Sequence, residues 1–161
     1  MSVMLFGLLA CTAAAAGQAM PTNPGAEAMK ETACPWLTQG TAADLLGGEV
    51  TATVTESNSA EGTCRFVRDG AEMNFIEIQV SAAPLHACPV GSTPLTGVGN
   101  EAERCRVAQV RGITEEMAGG NVRSLHFTVV ISGRGSRRSG KPSDADDNLA
   151  RLADEVAGNL Y

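Results

Sequence analysis

Aromatic side chains are scarce in this chain: one Trp, one Tyr and four Phe make up 4% of the residues. A hydrophobic core has to be built mainly from Val, Leu, Ile and Ala, and the interleaved aromatics that stack on single-stranded nucleic acid are missing. Histidine occurs only at His86 and His126. His86 and Cys88 form a His-x-Cys pair, but a metal centre needs more ligands than that pair and one distant imidazole supply. No Cys-x-x-Cys occurs, so neither a thioredoxin-like centre nor a zinc knuckle is supported. Positive charge is also in short supply. Twelve Lys and Arg face 18 Asp and Glu, giving a net charge of −6, which disfavours general attraction to nucleic acid or an anionic membrane. Gly97-Val98-Gly99 lacks both the helix that follows a dinucleotide fingerprint and the Lys-Ser or Lys-Thr of an NTPase loop. Ser139 or Ser143 with His126 has no nucleophile elbow around it, and Glu115-Glu116 are adjacent rather than a spaced catalytic pair. No catalytic, cofactor-binding or metal-ligating residues are therefore assigned.

Charge is absent altogether before Glu27. That uncharged stretch contains the apolar run Val3–Ala10, then Cys11, then the small residues Ala13–Ala16. It reads as an export signal over residues 1–19, too short in its apolar part for a membrane span, although no Lys or Arg lies near Met1. Two processing routes stay open. Leu8-Leu9-Ala10-Cys11 resembles the bacterial lipoprotein processing box, which makes Cys11 the candidate lipidation site. Cleavage after Ala19 or Ala15, each with a small residue at minus three, would release a soluble protein. Soluble export is preferred because the apolar stretch before Cys11 is short. The expected location is the periplasm or the cell exterior, with the membrane reached only through an N-terminal lipid or an uncleaved signal. Residues 20–33 are Pro-, Gly- and Ala-rich without periodicity and read as a flexible linker.

Setting Cys11 aside leaves Cys34, Cys64, Cys88 and Cys105, an even number that fits a disulfide framework in an oxidising compartment. Of the three pairings, Cys34–Cys64 with Cys88–Cys105 is preferred because it closes the shorter loops. Each bridge would contribute roughly 2–4 kcal/mol by restricting the unfolded chain.

Residues 34–161 read as one α+β domain. Thr38 or Thr41 can cap a short helix that Gly47-Gly48 ends, with Leu37, Ala42, Leu45 and Leu46 on its apolar side and Trp36 as a core or lid residue over it. Strands are expected over Glu49–Thr55, Thr63–Arg68, Met73–Val80, Glu101–Arg111 and Val122–Ile131, from alternation and from turn pairs such as Asp69-Gly70. The last is the clearest: Leu125, Phe127, Val129 and Ile131 face one way, Ser124, His126, Thr128 and Val130 the other. Arg104, Arg106, Ala108 and Val110 share a face of the fourth. Ile113–Asn121, with Glu115-Glu116 and Gly119-Gly120, reads as a hairpin connection. Pro84, Pro89 and Pro94 prevent regular structure from running through Ser81–Thr96. A final helix follows Pro142 and Ser143, with Leu149, Leu152, Ala153, Val156 and Leu160 as its apolar stripe. The fold expected is an antiparallel sheet of about five strands carrying a short N-terminal and an amphipathic C-terminal helix.

Cys34, the helix ending Leu45-Leu46-Gly47-Gly48, the strand with Cys64, and Gly97-Val98-Gly99-Asn100-Glu101-Ala102 together resemble small exported domains of uncharacterised bacterial lipoproteins and envelope sensor-like modules. The resemblance spans roughly Cys34–Tyr161. It implies an α+β exported domain and supplies no catalytic residues. The expected function is therefore a non-catalytic module of the cell envelope that binds a small ligand or a partner protein. The alternatives are a hydrolase with dispersed site residues and a purely structural envelope domain. The candidate binding surface is His86 in the Pro-rich loop, together with the basic run Arg134, Arg137, Arg138 and Lys141. That run also stands beside Asp144, Asp146 and Asp147, which it can simply neutralise.

Overall fold

In a computed structural model the described residues are 33–56, 60–85, 88, 91–110, 112–134 and 143–161. All of them fall in the compact unit Glu31–Tyr161. The expected signal, the linker to residue 32 and Cys11 lie outside the described residues.

Thr38 is the helix cap: its hydroxyl accepts from Thr41 N at 3.1 Å, and Gly47, in the left-handed region, closes α1 (Gln39–Leu46). Seven strands follow rather than about five: β1 (Val50–Glu56), β2 (Gly62–Arg68), β3 (Phe75–Ser81), β4 (Thr93–Pro94), β5 (Glu101–Val110), β6 (Ile113–Val122) and β7 (Leu125–Arg134). The amphipathic helix α2 (Ser143–Gly158) ends the fold. All pairings are antiparallel, in the order β1-β2-β3-β7-β6-β5-β4.

The two extra strands have physical causes. β6 occupies the stretch read as a connection. Its glycines and glutamates carry little β propensity, but it lies between β5 and β7, where ladder bonds and cross-strand contacts outweigh propensity. Gly120 is required there. A Cβ on it would stand 2.5 Å from Glu101 O, 2.9 Å from Ala102 Cβ and 3.0 Å from Phe127 Cε1. β4 is two residues long and tolerates Pro94 because an edge strand can do without one N–H. In β5 the register shifts between Arg106 and Ala108, which breaks the alternation expected from Arg104 to Val110.

β7 begins at Leu125, not Val122, because Val122 and Leu125 pair across a two-residue turn, Arg123-Ser124. Arg123 sits at φ 56°, and its N–H is held at 2.8 Å by Asn100 Oδ1. The chain before β5 crosses this hairpin closely: Asn100 N donates to Asn121 O at 2.8 Å, and a Cβ on Gly99 would lie 2.5 Å from that same oxygen. Gly97-Val98-Gly99 is thus a turn that lets backbone approach backbone.

One face of the sheet carries both helices. α1 packs on β1, β2 and β3, and α2 on β6 and β7. Between them lie Phe66, Ile76, Ile78, Val80, Ala118, Phe127 and Val129, with Leu149, Leu152, Ala153 and Val156 from the expected α2 stripe. Trp36 and Leu37 are buried in the same core. The helices are joined directly: Thr41 Oγ1 donates to Glu155 Oε1 at 3.1 Å, and Asn159 Nδ2 donates to Trp36 O at 3.0 Å. Both preferred disulfides form, Cys34–Cys64 and Cys88–Cys105, with Cα separations of 5.8 and 5.7 Å.

Candidate functional site

Among the described residues both helices pack on one face of the sheet and none on the second. Cross-strand register puts Glu101, Asn121, His126 and Ser81 in one row across β5, β6, β7 and β3. The next row is Glu103, Gly119, Thr128 and Gln79. Directly opposed residues share a face, so these two rows build a polar surface from strands far apart in sequence. Gly119 is its low point. A Cβ there would meet only Phe127 O and Thr128 Cγ2, both at an ordinary 3.7 Å, so a small side chain fits at Gly119 without displacing a neighbour.

A wall rises over this floor from the segment joining β3 to β4. Leu85 of that segment and Pro94 of β4, with Glu101, Glu103, Gly119, Asn121, His126 and Thr128, line a cleft of about 430 Å³. That volume lies in the range of small-molecule sites. The wall is pinned at both ends by carboxylates. Glu61 Oε2 accepts from Ala82 N at 2.7 Å and from Ser81 Oγ at 3.3 Å. Glu103 accepts from Cys88 N at 3.1 Å through one oxygen and from the Ser92 hydroxyl through the other. The Cys88–Cys105 bridge fastens the same segment to β5 covalently. Charge-assisted bonds are the stronger kind, and together with the bridge they hold the cleft's shape in advance of any ligand.

Chemically the cleft offers hydrogen-bonding groups of both kinds: the Asn121 amide, the Thr128 hydroxyl, the His126 imidazole and two carboxylates. Among the described residues that line it there is no Lys or Arg. An anion would meet carboxylates without a compensating cation, whereas a neutral polar or cationic group would not. Ser81, next to His126 in the register, has its single hydroxyl proton directed to Glu61, and Ala83 N donates to its oxygen at 3.0 Å. The pair is thus arranged as a loop anchor and not as a nucleophile with its base. Among the described residues no three His, Cys, Asp or Glu side chains converge as a metal ion would require.

Of the residues singled out from sequence as a binding surface, only Arg134 is among those described. Arg134 closes β7, with its backbone opposite Ile113. His86, Arg137, Arg138 and Lys141 lie outside the described residues. The Pro-rich segment, singled out by position alone, does contribute Leu85, Pro94 and the disulfide. Gly119, Asn121 and Thr128 carry no motif. The signal available was the polar alternation of His126 and Thr128 in β7, which marks a sheet face not covered by core. Comparison with protein-family models, with curated proteins and with solved structures finds no match to this chain.

Proposed function

We propose that this chain is an exported, non-catalytic binding domain of the bacterial cell envelope, and that its ligand is a small neutral or cationic polar molecule held in the cleft of the helix-free face. The observation that carries the reading is the combination of a pre-shaped cleft with convergent hydrogen-bonding groups and, among its described lining residues, two carboxylates and no Lys or Arg. Export is supported by the uncharged apolar N-terminal sequence and by two disulfides, which persist in oxidising compartments.

The test is a calorimetric screen of small amines, amino acids, sugars and organic acids against the parent chain and Gly119→Leu. The substitution adds a side chain on the cleft floor where the Cβ meets only ordinary contacts at 3.7 Å, so β6 should stay paired. Binding of a neutral or cationic compound by the parent, lost in Gly119→Leu at unchanged melting temperature, supports the reading. Selective binding of organic acids, or binding untouched by Gly119→Leu, overturns it. Mass analysis of the mature N-terminus tests export separately, by separating lipidation at Cys11 from soluble cleavage and both from an unprocessed chain.

A further inference from the structure

The two edges of the sheet are finished differently. At one edge β5 is covered only over Glu103 and Arg104, by the two residues of β4, and a bulge interrupts it beyond Arg106. A short strand, a proline, a bulge and nearby cations are the usual devices that stop a sheet from pairing with another chain. The other edge is β1, a seven-residue strand with no proline and no bulge, whose one charged residue is Glu56 at its end. Val50–Thr55 holds no charge and no proline, and its register with β2 runs without a shift. Among the described residues nothing pairs with its outer side.

The direction of the free groups follows from one bond. Asp69 N donates to Glu49 O, so Glu49, Thr51, Thr53 and Thr55 turn their backbone groups toward β2. Val50, Ala52 and Val54 turn theirs outward. Gln39 Nε2 already occupies the Val50 carbonyl at 2.7 Å, which leaves Ala52 and Val54 to offer two N–H and two C=O groups to a partner strand. The exposed positions Thr51, Thr53 and Thr55 read the same in either chain direction.

We propose that β1 is a self-association edge, at which two copies of the chain pair antiparallel about a two-fold axis through Thr53. In that register Ala52 of each copy exchanges both backbone bonds with Val54 of the other. Thr53 stands opposite its own counterpart, Thr51 opposite Thr55, and no charged side chain from Val50–Thr55 meets another. A second copy supplies the matching uncharged edge by symmetry, as an isologous interface requires. The axis is perpendicular to the sheet, so both helix layers lie on one side and both clefts open on the other. The proposal does not depend on what the clefts bind.

The register makes a sharp test. Thr53 and its counterpart form a non-hydrogen-bonded pair, whose Cα separation of about 4.5 Å falls within disulfide range. Under mild oxidation the full chain carrying Thr53→Cys should give a dimer whose peptide map shows the 53–53 linkage. Thr51→Cys alone should not link through position 51, but mixed with Thr55→Cys it should link 51 to 55. Thr53→Lys places two ammonium groups face to face and should weaken dimerisation of the parent roughly tenfold or more in sedimentation velocity, with melting of the monomer unchanged. A parent that stays monomeric at all accessible concentrations overturns the proposal. So does cysteine linking at position 51 as readily as at 53.

Discussion

Gly119 and Gly120 are neighbours in β6 yet sit in opposite environments, and alanine at each should move stability in opposite directions. On the helix-bearing side, a methyl at 120 would stand 2.5 Å from the Glu101 carbonyl oxygen, a ladder atom with little room to retreat, and 3.0 Å from the Phe127 ring. Relieving that contact means separating β5 from β6 or rotating Phe127, which is buried at 1% exposure. Overpacking of this kind costs about 1–3 kcal/mol. On the cleft side, a methyl at 119 would meet only ordinary contacts at 3.7 Å. There the main effect is the smaller freedom of alanine in the unfolded chain, a gain of about 0.4–1 kcal/mol. The two variants should therefore differ by about 2–3 kcal/mol. With a slope near 2 kcal/mol/M, their urea midpoints should lie about 1 M apart at equal slopes, with the parent between them. Equal shifts for the two variants would refute β6 as a paired strand with alternating faces, and with it the cleft floor.

Four further outcomes follow from the same packing. Replacing both cysteines of Cys34–Cys64 by serine should cost about 4 kcal/mol, and of Cys88–Cys105 about 3 kcal/mol, since they span 30 and 17 residues; chemical denaturation of the double variants checks this. Losing Cys88–Cys105 should also weaken cleft binding, because it fastens the segment bearing Leu85; calorimetry with a bound compound reads that out. Asn100→Ala removes the acceptor holding the left-handed Arg123 and should cost about 1 kcal/mol, whereas Arg123→Gly should be near neutral because glycine takes that φ freely. Arg65, paired with Glu77 and stacked on Phe75, is 40% exposed, so Arg65→Ala should cost under about 1 kcal/mol.

Where one physical signal dominated, the chain was legible. The alternation around Phe127 and Val129 identified the central strand and its buried face, and the 3–4 spacing from Leu149 to Val156 identified α2. The even cysteine count and loop lengths led to the observed pairing. β6 was not legible because Gly120 satisfies a close approach of Ala102 and Phe127 that exists only once β5 and β7 are in place. β4 was hidden because Pro94 marks a break everywhere except at an edge. The cleft was the least visible feature. Glu103, Gly119 and Thr128 become neighbours only through the ladder register, and each alone is an unremarkable surface residue.

The most direct measurement is a nitrogen–proton correlation spectrum of the full chain, titrated with the panel of small amines, amino acids, sugars and organic acids. Shifts should concentrate on the backbone amides of Glu103, Gly119, Asn121, His126 and Thr128, with neutral or cationic compounds. Shifts confined to α1, α2 or β1, or selective response to organic acids, would contradict a site for a neutral or cationic ligand in the cleft over β5, β6 and β7.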